Sequence, residues 1–141
     1  MDIQLQQYVE FVATHPLGVI ATTHPDAGPE AALVDMVADA GGDLVFGSKA
    51  DARKMTNLAA DPRMALVIGC EGAVTYQVEG SARVLGSAPD DEALREVFRA
   101  RFPESKALLP GFALVAVRPE WIRRWDTSTA PPTVTLVRSR A

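Results

Sequence analysis

The hydrophobic pattern of the chain changes from a helical period to a strand period after the first segment. The spacing of apolar residues there predicts a helix that ends at His15–Pro16. Three runs of apolar and β-branched residues follow, at 17–23, 30–39 and 43–48, and turn-forming stretches separate them. The first part of the chain therefore predicts a helix followed by a three-stranded meander.

Two further segments have helical character. Residues 50–61 predict a short helix with Asp51 as its N-cap, and residues 87–103 predict a longer one capped by Ser87 or Asp90. A proline ends the first of these helices, because the residue before a proline avoids the helical region. The acidic run in the first turn of the longer helix is interpreted as capping rather than as a catalytic pair of carboxylates.

The remaining segments predict strands. The nearly continuous apolar run at 63–70 predicts a strand with both faces covered. In the longer strand predicted at 73–86, Gly80 indicates a bulge or a close approach of another backbone. Residues 111–128 predict a sixth strand with a proline bend in its middle, and residues 131–138 predict a seventh strand or an ordered tail.

The order of these elements determines the expected fold class. Strand follows strand without regular helical crossovers, which indicates an antiparallel barrel or curled sheet with helices covering its ends rather than a doubly wound parallel sheet. Neither the GxGxxG nor the GxxxxGK[ST] phosphate loop is present. We therefore predict a mainly β protein, a single domain over residues 1–141 formed by an antiparallel barrel or curled sheet, with six to seven strands and two to three helices.

Composition and charge limit the kinds of partner and the cellular compartment that we expect for this protein. The net charge of −4 argues against a protein that coats nucleic acid. The single cysteine, Cys70, cannot form an internal disulfide and is predicted to be buried, which favours a reducing compartment. The N-terminus does not resemble a signal peptide, and no apolar run reaches the roughly 18 residues of a membrane helix. We expect a cytoplasmic protein without a metal, membrane or nucleic-acid partner.

Positive charge is nevertheless concentrated in one short stretch, at Lys49, Arg53, Lys54 and Arg63. A strand end at Gly47–Ser48, followed by a helix that opens with Arg53 and Lys54, can hold a phosphate group. The serine hydroxyl, the helix N-terminus and the two cations would all contribute. The alternative is a solvated helix start whose cations pair with Asp51 or Asp61.

Four segments in this order resemble the pyridoxamine 5′-phosphate oxidase-like family, the FMN-binding split β-barrels. They are residues 18–37, 42–69, 78–85 and 112–125. The most specific part is the strand end followed by the basic pair and then by "DPR", where the family usually has "NPR". The resemblance implies a split β-barrel that forms a homodimer, with FMN bound at the subunit interface.

The resemblance also implies roles for individual residues. Ser48, Arg53 and Lys54 would hold the cofactor phosphate, Gly47 would lie beside the ribityl chain, and the strand backbone at 33–37 would follow the isoalloxazine edge. The candidate cofactor-binding residues are Leu33, Val34, Asp35, Gly47, Ser48, Lys49, Arg53, Lys54, Gln77 and Trp125.

Two departures from the family pattern affect the expected activity. Ala32 and Val37 occupy positions where the oxidases carry cations, and the C-terminal segment lacks their Arg-x-His signature. We therefore expect an FMN-dependent oxidoreductase acting on an unknown small molecule rather than pyridoxamine phosphate oxidase activity. The alternatives are an F420-dependent reductase, whose cofactor's glutamate tail would use Lys49 or Arg63, a non-catalytic flavin-binding protein, and a structural dimer module without a ligand.

Four aromatic or polar residues have competing interpretations. Trp125 would either contact the partner subunit's flavin or pack in the core, whereas Trp121 is predicted to be a core residue. Gln77 would either bond a flavin edge or face solvent from its strand. His24 is predicted to lie exposed in a turn rather than to act as a general acid or base.

Overall fold

The computed structural model describes residues 2–137. Its helices are α1 (Ile3–Thr14), α2 (Arg53–Ala60) and α3 (Pro89–Arg101), with a 3₁₀ helix at Lys106–Leu108. Its strands are β1 (Leu17–His24), β2 (Gly28–Ala38), β3 (Leu44–Lys49), β4 (Arg63–Ile68), β5 (Val74–Val84), β6 (Phe112–Asp126) and β7 (Thr133–Val137). Within residues 2–137, no helix is both long and apolar enough to cross a membrane.

The strands form a closed antiparallel barrel. Their order is β3-β2-β1-β4-β5-β6-β7, and an additional pairing of β3 with β6 closes the first six into a ring. β7 extends the sheet beside β6, so the predicted seventh strand is confirmed up to Val137; residue 138 lies outside the described residues. The predicted mainly β fold class, with its antiparallel barrel and three helices, is confirmed.

The core consists of two clusters of buried side chains. The larger fills the barrel, where Tyr8 and Val12 of α1 close one end and Tyr8 packs edge-on against Tyr76 at 5.3 Å between ring centroids. Burial, together with the nearby carboxylates, raises the pKa of the Tyr8 hydroxyl, which donates to the Gly42 carbonyl at 3.4 Å. The smaller cluster lies outside the barrel wall, where Leu94 and Phe98 of α3 cover part of β2, β3 and β6.

The irregularity predicted at Gly80 lies at a bulge between β5 and β6. Glu79 pairs with Trp121 and Gly80 pairs with Pro119, which leaves Glu120 as an extra residue on β6. A Cβ atom on Gly80 would collide with the Arg118 carbonyl group, so only glycine permits this approach of the two backbones. Pro119 therefore lies beside a bulge, but β6 continues through it.

The predicted helix caps of α2 and α3 are wrong. Residues Ala52 and Ala88 occupy the two N-cap positions, and neither Asp51 nor Ser87 nor Asp90 caps a helix. The interpretation of the acidic run as capping fails in particular at Asp91, which turns back to the preceding loop.

Two burial predictions are also wrong. β4 alternates between exposed and buried residues, because only its inward face packs in the barrel, and Val67 on the other face is 40% exposed. Cys70 is exposed rather than buried, since it follows the strand into a turn at Gly69.

Asp91 joins the start of α3 to the end of β5. Its carboxylate accepts a hydrogen bond from the Gly86 backbone N–H at 2.7 Å and forms an ion pair with Arg83. These two contacts, the Gly86 bond foremost, lower the pKa of Asp91 below its usual value. A lowered folded-state pKa means that the ionised carboxylate stabilises the fold above the unfolded pKa of about 3.9, and that this contribution disappears as the pH falls through the folded value.

We therefore expect Asp91→Asn to lower the melting temperature by a few degrees at pH 7, and the difference from the unaltered protein to shrink as the pH falls below about 4. Thermal melts followed by circular dichroism over that pH range check this. Asp90→Asn, in the same turn but exposed, is the control and should have little effect at any pH. A difference for Asp91→Asn that stays constant from pH 7 to pH 3 would contradict the assignment.

Candidate cofactor site

A cleft of about 660 Å³ opens where β2 and the end of β3 face the segment that follows α3. Its volume lies within the roughly 300–1,000 Å³ of most small-molecule sites. Because β2 and β3 are neighbours in the barrel, residues distant in sequence meet on its wall. Seven of the ten predicted cofactor residues line this one cleft: Leu33, Val34, Asp35, Gly47, Ser48, Lys49 and Lys54.

Ser48 and Lys54 form the polar end of the cleft. The Lys54 ammonium group donates to the Ser48 hydroxyl oxygen at 3.4 Å, and that hydroxyl donates to the Lys49 carbonyl at 2.9 Å. Ser48 is buried at the end of β3, so its side chain has a fixed position. A cation and a hydroxyl held side by side can both donate to the same anionic group.

The N-terminus of α2 points to the same kind of ligand. No side chain caps it, and its first turn contains no acidic residue but begins with Arg53 and Lys54. By contrast, Asp2 caps α1, and α3 has three acidic residues in its first turn. Cations at a helix N-terminus oppose the helix dipole, at a cost of roughly 0.3–1 kcal/mol each. An anion bound there would remove that conflict, so the residues present fit an organic phosphate.

Arg53 lies over a second, smaller cavity of about 180 Å³ between α2 and the β1–β2 pair. Lys54 lines both cavities, so it lies between them. The Arg53 guanidinium pairs with Glu30 of β2, at 3.3 Å between Nη2 and Oε2. The pairing of Arg53 or Lys54 with nearby aspartates, which we considered as the alternative, is wrong, since Asp51 pairs with Lys49 and Asp61 pairs with Arg63.

A buried polar cluster holds the Glu30 carboxylate that pairs with Arg53. The Asn57 side-chain amide, fully buried, donates to the Thr22 hydroxyl at 2.9 Å and to the Glu30 carboxylate at 2.8 Å. The side-chain oxygen of Asn57, Oδ1, has no hydrogen-bond partner among residues 2–137. Turning the amide over would aim that oxygen at the Glu30 carboxylate, so the observed orientation is the favourable one. The sequence analysis missed this cluster, although Arg53 and Asn57 lie four residues apart on one helix face.

A family model described as pyridoxamine 5′-phosphate oxidase matches residues 5–126. The chain belongs to this family. The suspected resemblance is therefore confirmed, and the match covers every element from within α1 to the end of β6. No match was found among curated proteins.

Solved structures share the fold at low sequence identity. A heme-binding protein from Mycobacterium smegmatis is 19% identical with a TM-score of 0.77, and the match covers 96% of this chain and 59% of that one. A pyridoxamine 5′-phosphate oxidase-related, FMN-binding protein from Nostoc punctiforme is 11% identical with a TM-score of 0.68, covering 95% and 93%. General stress protein 26 from Bacillus anthracis is 18% identical with a TM-score of 0.68, covering 96% and 100%. At these identities the likeness shows the fold alone.

Besides Arg53, which lines only the smaller cavity, two of the ten predicted residues of this family member lie away from the cleft. Gln77 is exposed on the outer face of β5, opposite Arg123 of β6. Trp125 lies on the same outer face, with the Arg123 guanidinium 5.2 Å from the centroid of its ring. Trp121 was predicted to be a core residue, and this is wrong: it is only partly buried and belongs to neither core cluster, because it points outward from β6.

The segment after α3 supplies cleft residues that the sequence analysis did not anticipate, namely Phe102, Pro103, Glu104, Ser105, Lys106, Ala107 and Phe112. A Cβ atom on Gly47 would collide with Ala107, so Gly47 also allows the 3₁₀ helix to pack against β3. Lys106 adds a further cation to the cleft. Its sequence context gave no signal, because the contact depends on how the chain returns from α3.

The histidines lie outside this cleft. His24 is the last residue of β1 and is partly buried rather than exposed in a turn, and it accepts a hydrogen bond from the Asp26 backbone N–H at 3.0 Å. His15 forms the C-cap of α1 and stacks on Phe11 at 3.9 Å between ring centroids. Within residues 2–137, no group of three or more acidic, histidine or cysteine side chains is arranged to hold a metal ion.

Proposed function

We propose that this protein is an FMN-dependent oxidoreductase that acts on a small molecule. The observation that carries the proposal is the meeting of Ser48, Lys54 and the uncapped, cationic start of α2 at one end of a cleft of suitable volume. Membership of the family and the FMN-binding relative from Nostoc punctiforme support flavin as the ligand. The cytoplasm stays our expectation for its location.

In this proposal the chain's residues bind and orient, while the bound cofactor supplies the hydride or electron transfer. Ser48, Arg53 and Lys54 hold the phosphate, and the strand at Leu33–Asp35 lines the remainder of the cleft.

Ala32 borders the small cavity and offers no charge there. Val37 is buried in the cluster under α3, so neither position carries the cation found in the oxidases. We therefore do not propose pyridoxamine phosphate as the substrate.

We further propose that a second copy of the chain covers one outer face of the barrel. Leu33, Val19 and Val67 are lateral neighbours on β2, β1 and β4, and they are 63%, 41% and 40% exposed. We call these three residues the apolar row. Beyond Val67 the line of lateral neighbours becomes polar at Gln77 and Arg123 before it reaches Leu136. Contiguous exposed apolar surface of this kind marks an interaction site. Leu33 also lines the cleft, so a copy seated on the row would border the cofactor.

An F420-dependent reductase is the second candidate, and one observation favours it. Lys49 and Lys106 line the same cleft as Lys54, so cations continue beyond the phosphate end. Exposed cations along a groove suit a cofactor with an anionic glutamate tail. FMN stays first because a relative of the same fold is described as binding it.

These proposals are separated by titrating the purified protein with FMN, F420 and hemin and measuring its melting temperature at each ligand concentration. Ligand at a hundred times its dissociation constant should add about 2.7 kcal/mol of stability. We expect FMN to raise the melting temperature by several degrees. A rise in melting temperature with F420 alone would indicate that the cofactor is the deazaflavin and not FMN. A rise with hemin alone would indicate that this chain binds heme, as its relative is described to do. No shift with any of the three would leave a structural module.

A further inference from the structure

Glu30 places a negative charge directly beside the two cations that open α2, Arg53 and Lys54. Its two carboxylate oxygens have different partners: one accepts from Asn57 at 2.8 Å, and the other pairs with Arg53 at 3.3 Å. The Glu30 carboxylate thus already contacts the Arg53 guanidinium group, to which a phosphate would have to bind. With Arg53 and Lys54 each contributing one positive charge, Glu30 reduces the net charge of the three-residue group to a single positive charge.

The two members of the Glu30–Arg53 pair differ in how firmly they are held. The Glu30 side chain is only 17% exposed and is fixed by the buried Asn57, which in turn bonds Thr22 on β1. The Arg53 side chain is 76% exposed, and its contact with Glu30 is made through one nitrogen. The exposed Arg53 guanidinium, held through a single nitrogen, can turn to another anion, because an ion pair with one solvent-exposed member is weakened by water.

We infer that Glu30 is a specificity-determining residue, which competes with the cofactor phosphate for Arg53. Its charge disfavours a phosphate monoester, which carries about −1.5 to −2 at pH 7, more than a phosphodiester, which carries −1. The inference rests on the proposed function of the cleft, since it concerns the phosphate of that same ligand. The opposite role, in which Glu30 positions Arg53 for the phosphate, predicts a change of affinity in the other direction.

Glu30→Gln tests this with little change of shape, because the glutamine side-chain oxygen can still accept from Asn57. The probes are FMN, its phosphate monomethyl ester and riboflavin, titrated by quenching of flavin fluorescence. We expect Glu30→Gln to bind FMN at least tenfold more tightly, the methyl ester no more than about threefold more tightly, and riboflavin unchanged; tenfold corresponds to about 1.4 kcal/mol. Asp51→Asn is the matched control, an exposed acid in the same strand-to-helix connection that pairs with Lys49 instead of Arg53, and should change FMN affinity less than threefold.

Several results would overturn the inference. Weaker or unchanged FMN binding by Glu30→Gln would do so, and so would an equal change for all three probes. If Glu30→Gln melts far below the unaltered protein, Glu30→Ala with the same three probes replaces it, and the ratio of FMN to riboflavin affinity must still rise. Failure of the unaltered protein to bind any of the three would refute the proposed function itself, and this inference with it. FMN binding without a Glu30 effect would refute the inference alone.

Discussion

Replacing Arg53 and Lys54 together by alanine is expected to weaken FMN binding by at least tenfold. Both side chains stand at the uncapped start of α2, and Lys54 already donates to Ser48 at 3.4 Å. Each hydrogen bond from a charged group to the phosphate is worth about 1.5–3 kcal/mol. The substitution also leaves the helix intact, since alanine has the highest helix propensity. Fluorescence titration measures the change directly.

Riboflavin and a second double variant control this experiment. Riboflavin lacks the phosphate, so its affinity should be the same for the double variant and the unaltered protein. Arg63→Ala combined with Arg99→Ala removes the same amount of charge from residues that do not line the cleft, and it should change FMN affinity little. Unchanged FMN affinity in the Arg53 and Lys54 variant would contradict the assignment of the phosphate site.

A glutamate in the apolar row is expected to prevent dimer formation. Val19 and Val67 face outward from the barrel and are paired in register, so either Val19→Glu or Val67→Glu places a charge at the centre of the proposed contact. Burying an unpaired carboxylate costs several kcal/mol, enough to weaken association by at least a hundredfold. The isolated chain tolerates the change because both side chains are already about two-fifths exposed.

Sedimentation velocity distinguishes the outcomes. We expect the unaltered protein to sediment as a dimer and each variant as a monomer of unchanged melting profile. FMN affinity should fall as well, since the row and the cleft share Leu33. Val84→Glu, at an exposed position near the end of β5 and outside the row, is the matched control and should remain dimeric. An unaltered protein that sediments as a monomer would refute the proposed contact.

The sequence predicted the elements of this site that are close together in the chain. Ser48, Arg53 and Lys54 lie within one strand-to-helix connection, so local spacing was enough to predict that they lie near one another, and their role in holding a phosphate stays a prediction. The alternation of apolar and turn residues likewise predicted the meander and the later strands. The contribution of β2 followed from the family resemblance rather than from local chemistry.

Contacts that form only when the barrel closes were beyond such reasoning. Glu30, Asn57 and Thr22 come from three elements and meet inside the fold, so no spacing along the chain signals their cluster. The same applies to Ala107 against Gly47. Capping residues failed for a different reason: Asp91 has a stronger set of partners in Gly86 and Arg83 than the helix end offers. The helix-capping propensity of a residue does not reveal whether its side chain has better hydrogen-bond partners elsewhere in the fold.

The most direct test of the central claim is the visible absorption spectrum of the freshly purified protein after incubation with FMN and removal of excess ligand, with mass spectrometry of what acid releases. The account predicts a flavin band that co-purifies with the chain and FMN as the released species. A colourless protein that releases no FMN after this loading would contradict it.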